Sequence, residues 1–463
     1  MALKFIKNLI VCFSIITIST IVTGCETVFK SPSDLLERPK LAVNEKLAHE
    51  VIYKNISNSA KFIRPLKPGN LSSMGYISKY DKNKENEFFA FYKNNQTQKV
   101  GFIILKENMQ NIYSVFAKEE ITDSDINYAE FIDLNKDGNK DIIIGTENKG
   151  SIFKKAHIFL KTNYGYKYIW SEPYTEIIVD DLDKNGITDI FILALDRNTK
   201  AYAKVFEVNN NTIKEVDKIK MDQDINSYYD VKSGRVNYKK KGIFIDFNIG
   251  LKSATNILFY KDYKLSLAID PFIIGQSYNS TIKNKRLSST DINNDYNIEI
   301  PIIYNPTYSS HNIDENGIYG WYVFDDIDKK YNLKRLSYQS KNDNYKITIP
   351  KLWTEYIIKD KMTIISSVKS QKQDYLNVYY IDDKNNLLWL ARYELIKNSE
   401  LNEKIASDIF KDFEYVEIAK NFKHTLIVYY PKEFNNIDKK YLKIYRNLLL
   451  DKKTLENSAK LIK

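Results

Sequence analysis

Cysteine is nearly absent: Cys12 and Cys25 are the only two in 463 residues. A disulfide framework is thereby excluded, and size rather than crosslinking must stabilise the fold. Glycine (15) and proline (10) are scarce, and no phosphate loop, dinucleotide fingerprint or Gly-x-Ser-x-Gly elbow occurs. The four histidines, His49, His157, His311 and His424, show neither zinc-ligand spacing nor a His-Glu-x-x-His pattern. Each reads as a packed or surface residue. The adjacent carboxylates Asp180-Asp181 and Asp325-Asp326 read as part of an acidic loop and as a turn, not as acids facing each other across a substrate. The longest uncharged apolar run, residues 9–22, is shorter than the ~18–20 residues that a permanent membrane span needs.

What is present begins at the N-terminus. Lys4 and Lys7 precede that apolar run, the layout of a secretory signal. The run ends in Val22-Thr23-Gly24-Cys25, which resembles the lipobox of bacterial lipoproteins. The resemblance implies cleavage before Cys25, a diacylglycerol on its thiol, and an extracytoplasmic chain anchored to the bacterial membrane; two acyl chains suffice for stable anchoring. Residues 1–24 are then the signal peptide and 25–45 a lipidated tether carrying Pro32 and Pro39.

Hydrophobic residues make up 43%, as in a globular chain, with 35 Tyr and 23 Phe. The net charge of +10 falls to +8 without Lys4 and Lys7. Acids and bases are interspersed, which suits a place beside anionic lipid or wall polymer and gives no basic block for nucleic acid.

An acidic loop recurs. Asp133-Leu-Asn135-Lys-Asp137-Gly138-Asn139-Lys-Asp141 leads into Ile142–Ile144. Asp181-Leu-Asp183-Lys-Asn185-Gly186-Ile187-Thr-Asp189 leads into Ile190–Leu193. Asp291-Ile-Asn293-Asn-Asp295-Tyr296-Asn297-Ile-Glu299 leads into Ile300–Ile303. Oxygens at positions 1, 3, 5 and 9 of a tight loop converge on one point, and position 7 can add its carbonyl. Calcium takes about 6–8 such ligands. An EF-hand would need a bidentate Glu at position 12, where Ile144, Ile192 and Ile302 stand. The alternative without metal is a set of Asx-rich turns capping strands.

An acid at position 9 running straight into an apolar strand resembles the FG-GAP (integrin α-like) repeat. That resemblance implies a β-propeller with structural calcium in the loops. The third loop departs from it, with Tyr296 for Gly and Glu299 for Asp. Weaker copies begin at Asp81 and Asp230, so starts at 81, 133, 181, 230 and 291 lie 52, 48, 49 and 61 residues apart. A four-stranded blade needs about 40–50 residues. The expectation is a mainly β chain: a propeller of roughly five to seven blades over 46–340, then a small α+β domain over 341–463.

In the C-terminal part, strands are expected at Tyr345–Ile349, Met362–Ser366, Leu376–Ile381, Leu387–Tyr393, Tyr415–Ala419 and Thr425–Tyr430. Helices are expected over Glu400–Phe413 and along Ile437, Tyr441, Ile444 and Leu448. The Ile349-Pro350-x-x-Trp353 opening resembles a domain of exported proteins of low-GC Gram-positive bacteria.

The functional expectation is a non-catalytic binding or scaffold module at the cell surface, its partner a wall polymer or another surface protein. The rivals are a wall- or polysaccharide-acting enzyme with its site in the propeller funnel, and a solute-capture lipoprotein built from two α/β lobes.

Overall fold

The computed structural model describes residues 43–462 apart from 68–70, 79–85, 109, 111, 149, 152, 210, 308–316, 341–343, 368–374 and 434–438. The signal peptide, Cys25 and most of the tether lie outside the described residues, as do 81–85 of the first weak loop copy.

The chain is mainly β: six antiparallel sheets of four or five strands. The first spans residues 60–121, the second 125–174, the third 176–220, the fourth 225–267, the fifth 300–348 and the sixth 362–431. The second, third and fourth are simple up-and-down meanders of four strands in chain order.

The apolar runs explain how these sheets stack. The strands Asp141–Glu147, Asp189–Asp196 and Lys241–Ile249 are buried along nearly their whole length. A strand covered on both faces reads as a continuous apolar run rather than an alternation. Successive side chains still point to opposite faces. Ile142 and Ile144 pack toward Phe89, Phe91 and Phe102 of the first sheet. Ile143 packs with Ile190 and Ile192 of the third. Phe191 and Leu193 pack with Ile243, Ile245 and Phe247 of the fourth. Phe244 then meets Ile300 and Phe324 of the fifth. Each central strand thus feeds two cores, and five blade-like sheets stand in a row.

The ends of that row correct the expectation of a closed propeller. The outer face of the first sheet, with Phe88, Ala90, Ile103 and Leu105, is covered by Ala48, Ile52 and Ile56 of helix Val43–Asn55 and the turn after it. The far face of the fifth sheet packs through Leu336, Tyr338 and Tyr345 onto the C-terminal elements. Both end faces are occupied, so the core clusters of the described residues join neighbouring sheets in a row and not the first to the last. Helix Val43–Asn55 is a second difference, because the sequence put a tether and then strands there. Its i, i+4 spacing of Ala48, Ile52 and Ile56 is a helical signal.

The expected start of the C-terminal part falls inside a sheet. Strand Tyr345–Thr348 pairs with Lys330–Gln339 of the fifth sheet, and Ala459–Leu461 returns from the chain end to pair with it. Beyond it, Pro350 stands at the N-cap of helix Lys351–Ile358, which the sequence read as a turn. Proline suits a helix start because its missing N–H would be unpaired there anyway. Trp353 is buried and its indole N–H donates to the Leu448 carbonyl at 2.8 Å, tying this helix to Lys439–Leu448. The expected helix Glu400–Phe413 is broken: Asn398–Ala406 is α-helical, Ser407 is extended, and Asp408–Asp412 forms a 3₁₀ turn.

Candidate metal centres and a cavity in the sixth sheet

The three acidic loops share one backbone design. Position 4 takes a left-handed conformation in each, at Lys136 (φ 60°), Lys184 (φ 62°) and Asn294 (φ 61°). So does position 6, at Gly138, Gly186 and Tyr296, the last with φ 70°. A non-glycine residue pays about 1–2 kcal/mol for that conformation, so the third loop keeps its turn despite losing the glycine. The position-1 carboxylates accept the position-6 N–H: Gly138 to Asp133 at 2.9 Å, Gly186 to Asp181 at 2.8 Å and Tyr296 to Asp291 at 2.7 Å. At position 7, Asn139, Ile187 and Asn297 donate their N–H to the side chain at position 5, Asp137, Asn185 and Asp295.

Position 9 separates the three. Asp141 is fully buried, and its oxygens accept the N–H groups of Leu134 (3.0 Å) and Lys161 (2.9 Å). Glu299 is also fully buried and accepts from Ile292 N (3.0 Å) and the Asn293 amide (3.1 Å). Asp189 is equally buried, yet neither of its carboxylate oxygens has a hydrogen-bond partner. Two orphaned carboxylate oxygens in the interior are a severe cost unless a cation meets them.

Ligand atoms of Asp181, Asp183 and Asp189 lie within 4.8 Å of one another, as do those of Asp291, Asp295 and Glu299. Asp133, Asp137 and Asp141 form no such group among the described residues. In sequence, the third loop alone departs from the repeat, with Tyr296 for Gly and Glu299 for Asp. The structure gathers ligands in the second and third; in the first, both oxygens of Asp141 are taken by backbone N–H groups, one of them from Lys161 in the next hairpin. Burial pushes Asp189 up to about 8, with Asp183, Glu207, Asp181 and Asp180 adding to the effect. Burial likewise pushes Glu299 up to about 7 and, against two backbone hydrogen bonds, Asp141 up to about 6. A cation beside any of these carboxylates would favour its charged form and oppose the shift. A hard divalent ion suits an all-oxygen donor set: Asp181, Asp183, Asn185 and Asp189 in the second loop, Asp291, Asn293, Asp295 and Glu299 in the third. Bound there, it would neutralise the buried acid and stiffen the turn.

The weak copy at Tyr229–Gly234 is not a loop. It lies inside strand Ile225–Arg235, paired with Lys241–Ile249.

Two ionisable clusters lay beyond sequence reasoning, because their members are far apart in the chain. Lys283 and Asp246 form an ion pair at 2.9 Å with both side chains fully buried. His157 is buried, with its Nε2 3.0 Å from the Thr146 hydroxyl and 3.4 Å from Asp123. Asp123 and Thr146 approach the same imidazole nitrogen, so the trio lacks the relay geometry of a catalytic triad, where the acid holds the opposite nitrogen. Burial lowers the His157 pKa from 6.5; Asp123 opposes this and Lys155 assists it. The folded state therefore resists protonation that the unfolded chain accepts below about pH 6.5, so His157 withdraws stability as pH falls through that value. His157→Gln is expected to flatten that part of the urea-midpoint profile between pH 7 and 5. An unchanged profile would remove His157 as the cause.

A cavity of about 790 Å³ opens on the face of the sixth sheet away from Trp353. Its wall is aromatic, with Trp389 against Phe413 (5.4 Å between ring centres) and Tyr429 (5.9 Å). Arg392 is held by a 2.7 Å hydrogen bond from Nε to Asn377 and lies over the Tyr375 ring at 4.4 Å. Glu394 is buried and paired with Lys404 at 2.5 Å, and it accepts the Tyr429 hydroxyl at 3.0 Å. Only the meeting of four strands and a helix reveals the cavity.

No family model matches the chain, and no curated protein matches it. Among solved structures it is similar to the exotype rhamnogalacturonan lyase YesX, at 12% identity and TM-score 0.32, over 69% of this chain and 68% of that one. A rhamnogalacturonan lyase from Bacillus licheniformis aligns at 12% identity and TM-score 0.29, over 45% of this chain and 48% of that one. An exo-β-1,3-galactanase from Phanerochaete chrysosporium aligns at 8% identity and TM-score 0.28, over 81% and 96%. Likeness at this level carries no statement about activity. The class that the chain itself defines is a row of antiparallel β-sheets bearing acidic, cation-suited loops and joined to a smaller α+β part.

Proposed function

We propose that the chain is a lipoprotein anchored outside the cytoplasm through a diacylglycerol on Cys25. Its blade-like sheets, stiffened by calcium in the second and third acidic loops, act as a non-catalytic binding or scaffold module for a wall polymer or another surface protein. The observation that supports the calcium is Asp189, fully buried with two unpartnered oxygens beside Asp181 and Asp183. Support for the anchor is Val22-Thr23-Gly24-Cys25 behind a charged and then apolar leader. Labelled palmitate fed to producing bacteria is expected to enter the parent protein and not a Cys25→Ala variant. Equal labelling of both, or of neither, would defeat the anchor.

The rival reading, a polysaccharide-acting enzyme, draws on a cavity of about 540 Å³ whose lining includes Asp183, Asp325 and Asp326. Against it, Asp326 is fixed to Lys240 at 3.0 Å and Asn237 at 2.9 Å, and burial notwithstanding, these partners hold its carboxyl below the usual range. An acid tied this way is a poor proton donor. Release of reducing ends from wall polysaccharide would decide for the enzyme.

A further inference from the structure

We infer that the cavity of the sixth sheet is a binding site for an uncharged glycan chain. This rests on the binding-module reading and names its ligand class and its place, which is the C-terminal sheet and not the blade row.

The cavity's polar lining carries both signs. Arg392 and Lys404 supply cations, and Glu394, Glu400 and Glu403 supply anions, with Glu400 paired to Lys397 at 3.0 Å and Glu403 exposed on the helix Asn398–Ala406 that roofs the site. Glu394 and Lys404 already neutralise each other. A polyanion would meet Glu403 and the buried Glu394, and a cation would meet Arg392. A hydroxyl group donates and accepts at once, so a polyol suits a lining that offers both kinds of partner. The guanidinium of Arg392 is fixed in orientation by Asn377 and Tyr375, and a planar, preorganised fork loses little entropy on pairing with vicinal hydroxyls. Half-buried Trp389 and Tyr379 face the same space and supply flat apolar area for the C–H face of a sugar ring. The cavity's 790 Å³ falls within the ordinary range for small-ligand sites, with room for two or three sugar rings. It is open to solvent along one side, so a longer chain can run past it.

The test is binding of the full-length protein, in detergent, to arrays of neutral oligosaccharides (chitohexaose, cellohexaose, mannohexaose and galactohexaose) beside polygalacturonate and polylysine. Binding to at least one neutral hexasaccharide is expected. Trp389→Phe and Glu403→Gln are each expected to weaken it about tenfold or more, the loss of one ring contact or one charged hydrogen bond. Glu403→Gln sits on the exposed roof and leaves the packed aromatics untouched, so it reports on the site even if a Trp389 change disturbs folding. Binding to the charged polymers alone, binding indifferent to both substitutions, or no binding overturns the inference. A negative array beside palmitate on Cys25 and a calcium-raised melting point would leave the anchored, calcium-braced scaffold standing with a different ligand.

Discussion

Calcium in excess is expected to raise the melting midpoint of the full-length protein above its value in chelator, and Asp189→Asn is expected to cut that rise to the share supplied by the third loop. A ligand present at a hundredfold over its dissociation constant adds about 2.7 kcal/mol, or several degrees for a chain of this size. Asparagine keeps the shape of Asp189 and removes the charge. In chelator the parent already holds this carboxyl largely protonated at neutral pH, since burial pushes it to about 8. The variant should then melt within about 1 kcal/mol of the parent without calcium. Asp141→Asn in the first loop behaves oppositely. Both of its oxygens accept backbone N–H groups, and the new amide would face one of them with a donor. A loss of about 1–3 kcal/mol is expected with or without calcium. Scanning calorimetry of the three proteins in calcium and in chelator gives the answer. If the parent itself does not respond, the loops are Asx turns and the calcium reading falls. If Asp189→Asn responds as the parent does, the ion sits elsewhere.

The sequence carried the loops because their chemistry is local. Nine consecutive residues fix the turn, its left-handed positions and its convergent oxygens, and the triplet Ile142–Ile144 after it announces a strand buried on both faces. It also carried the strands of the sixth sheet, since Met362–Ser366 and the two strands after it stand between clear turns. What it could not carry depends on distant partners. Whether Asp141 is spent on Lys161 or left for a cation is decided by the next hairpin, so a loop that keeps the full repeat pattern does not gather its carboxylates while the third, which departs from it, does. Whether blades close into a ring is decided by what covers the end faces, and Ile52 and Leu336 give no local sign that they do so. The Asp230 copy failed for a related reason: a spaced glycine and a lone acid fit a strand with a bulge as well as a turn. Trp389 and Arg392 are ordinary members of a strand until Asn377 and the roof helix are placed around them.

The largest single loss of stability is expected from Lys283→Met, about 3–5 kcal/mol, the usual cost of removing one partner of a buried ion pair. Lys283 spends all three of its protons inside the protein, on Asp246 (2.9 Å), the Thr255 hydroxyl (2.7 Å) and the Leu287 carbonyl (2.7 Å). Asp246 also accepts the backbone N–H of Ser289 at 2.6 Å and its hydroxyl at 3.0 Å. Burial lowers the Lys283 pKa and Asp246 opposes that, so the carboxylate is the neighbour that most favours the charged lysine. The pair has a topological role. Residues 268–299 join the fourth sheet to the fifth with only a short 3₁₀ turn, Tyr278–Ser280, as regular structure. This long connection accounts for the 61-residue spacing of the last repeat. Lys283 and Ser289 pin it to the central strand of the fourth sheet just before Asp291 opens the third acidic loop. Methionine fills the volume but leaves Asp246 charged and short of its cation, so the connection should loosen together with the sheet. Asp246→Asn is expected to cost a similar amount. The double variant should lose less than the sum of the two, because each single change already strands the other partner. Urea denaturation of the four proteins measures that cycle, and hydrogen exchange across 283–299 shows whether the third loop opens with it. Additive losses, or a cost below about 1 kcal/mol for Lys283→Met, would mean that water or a rearranged neighbour replaces the lost partner and that the connection is held by its backbone alone.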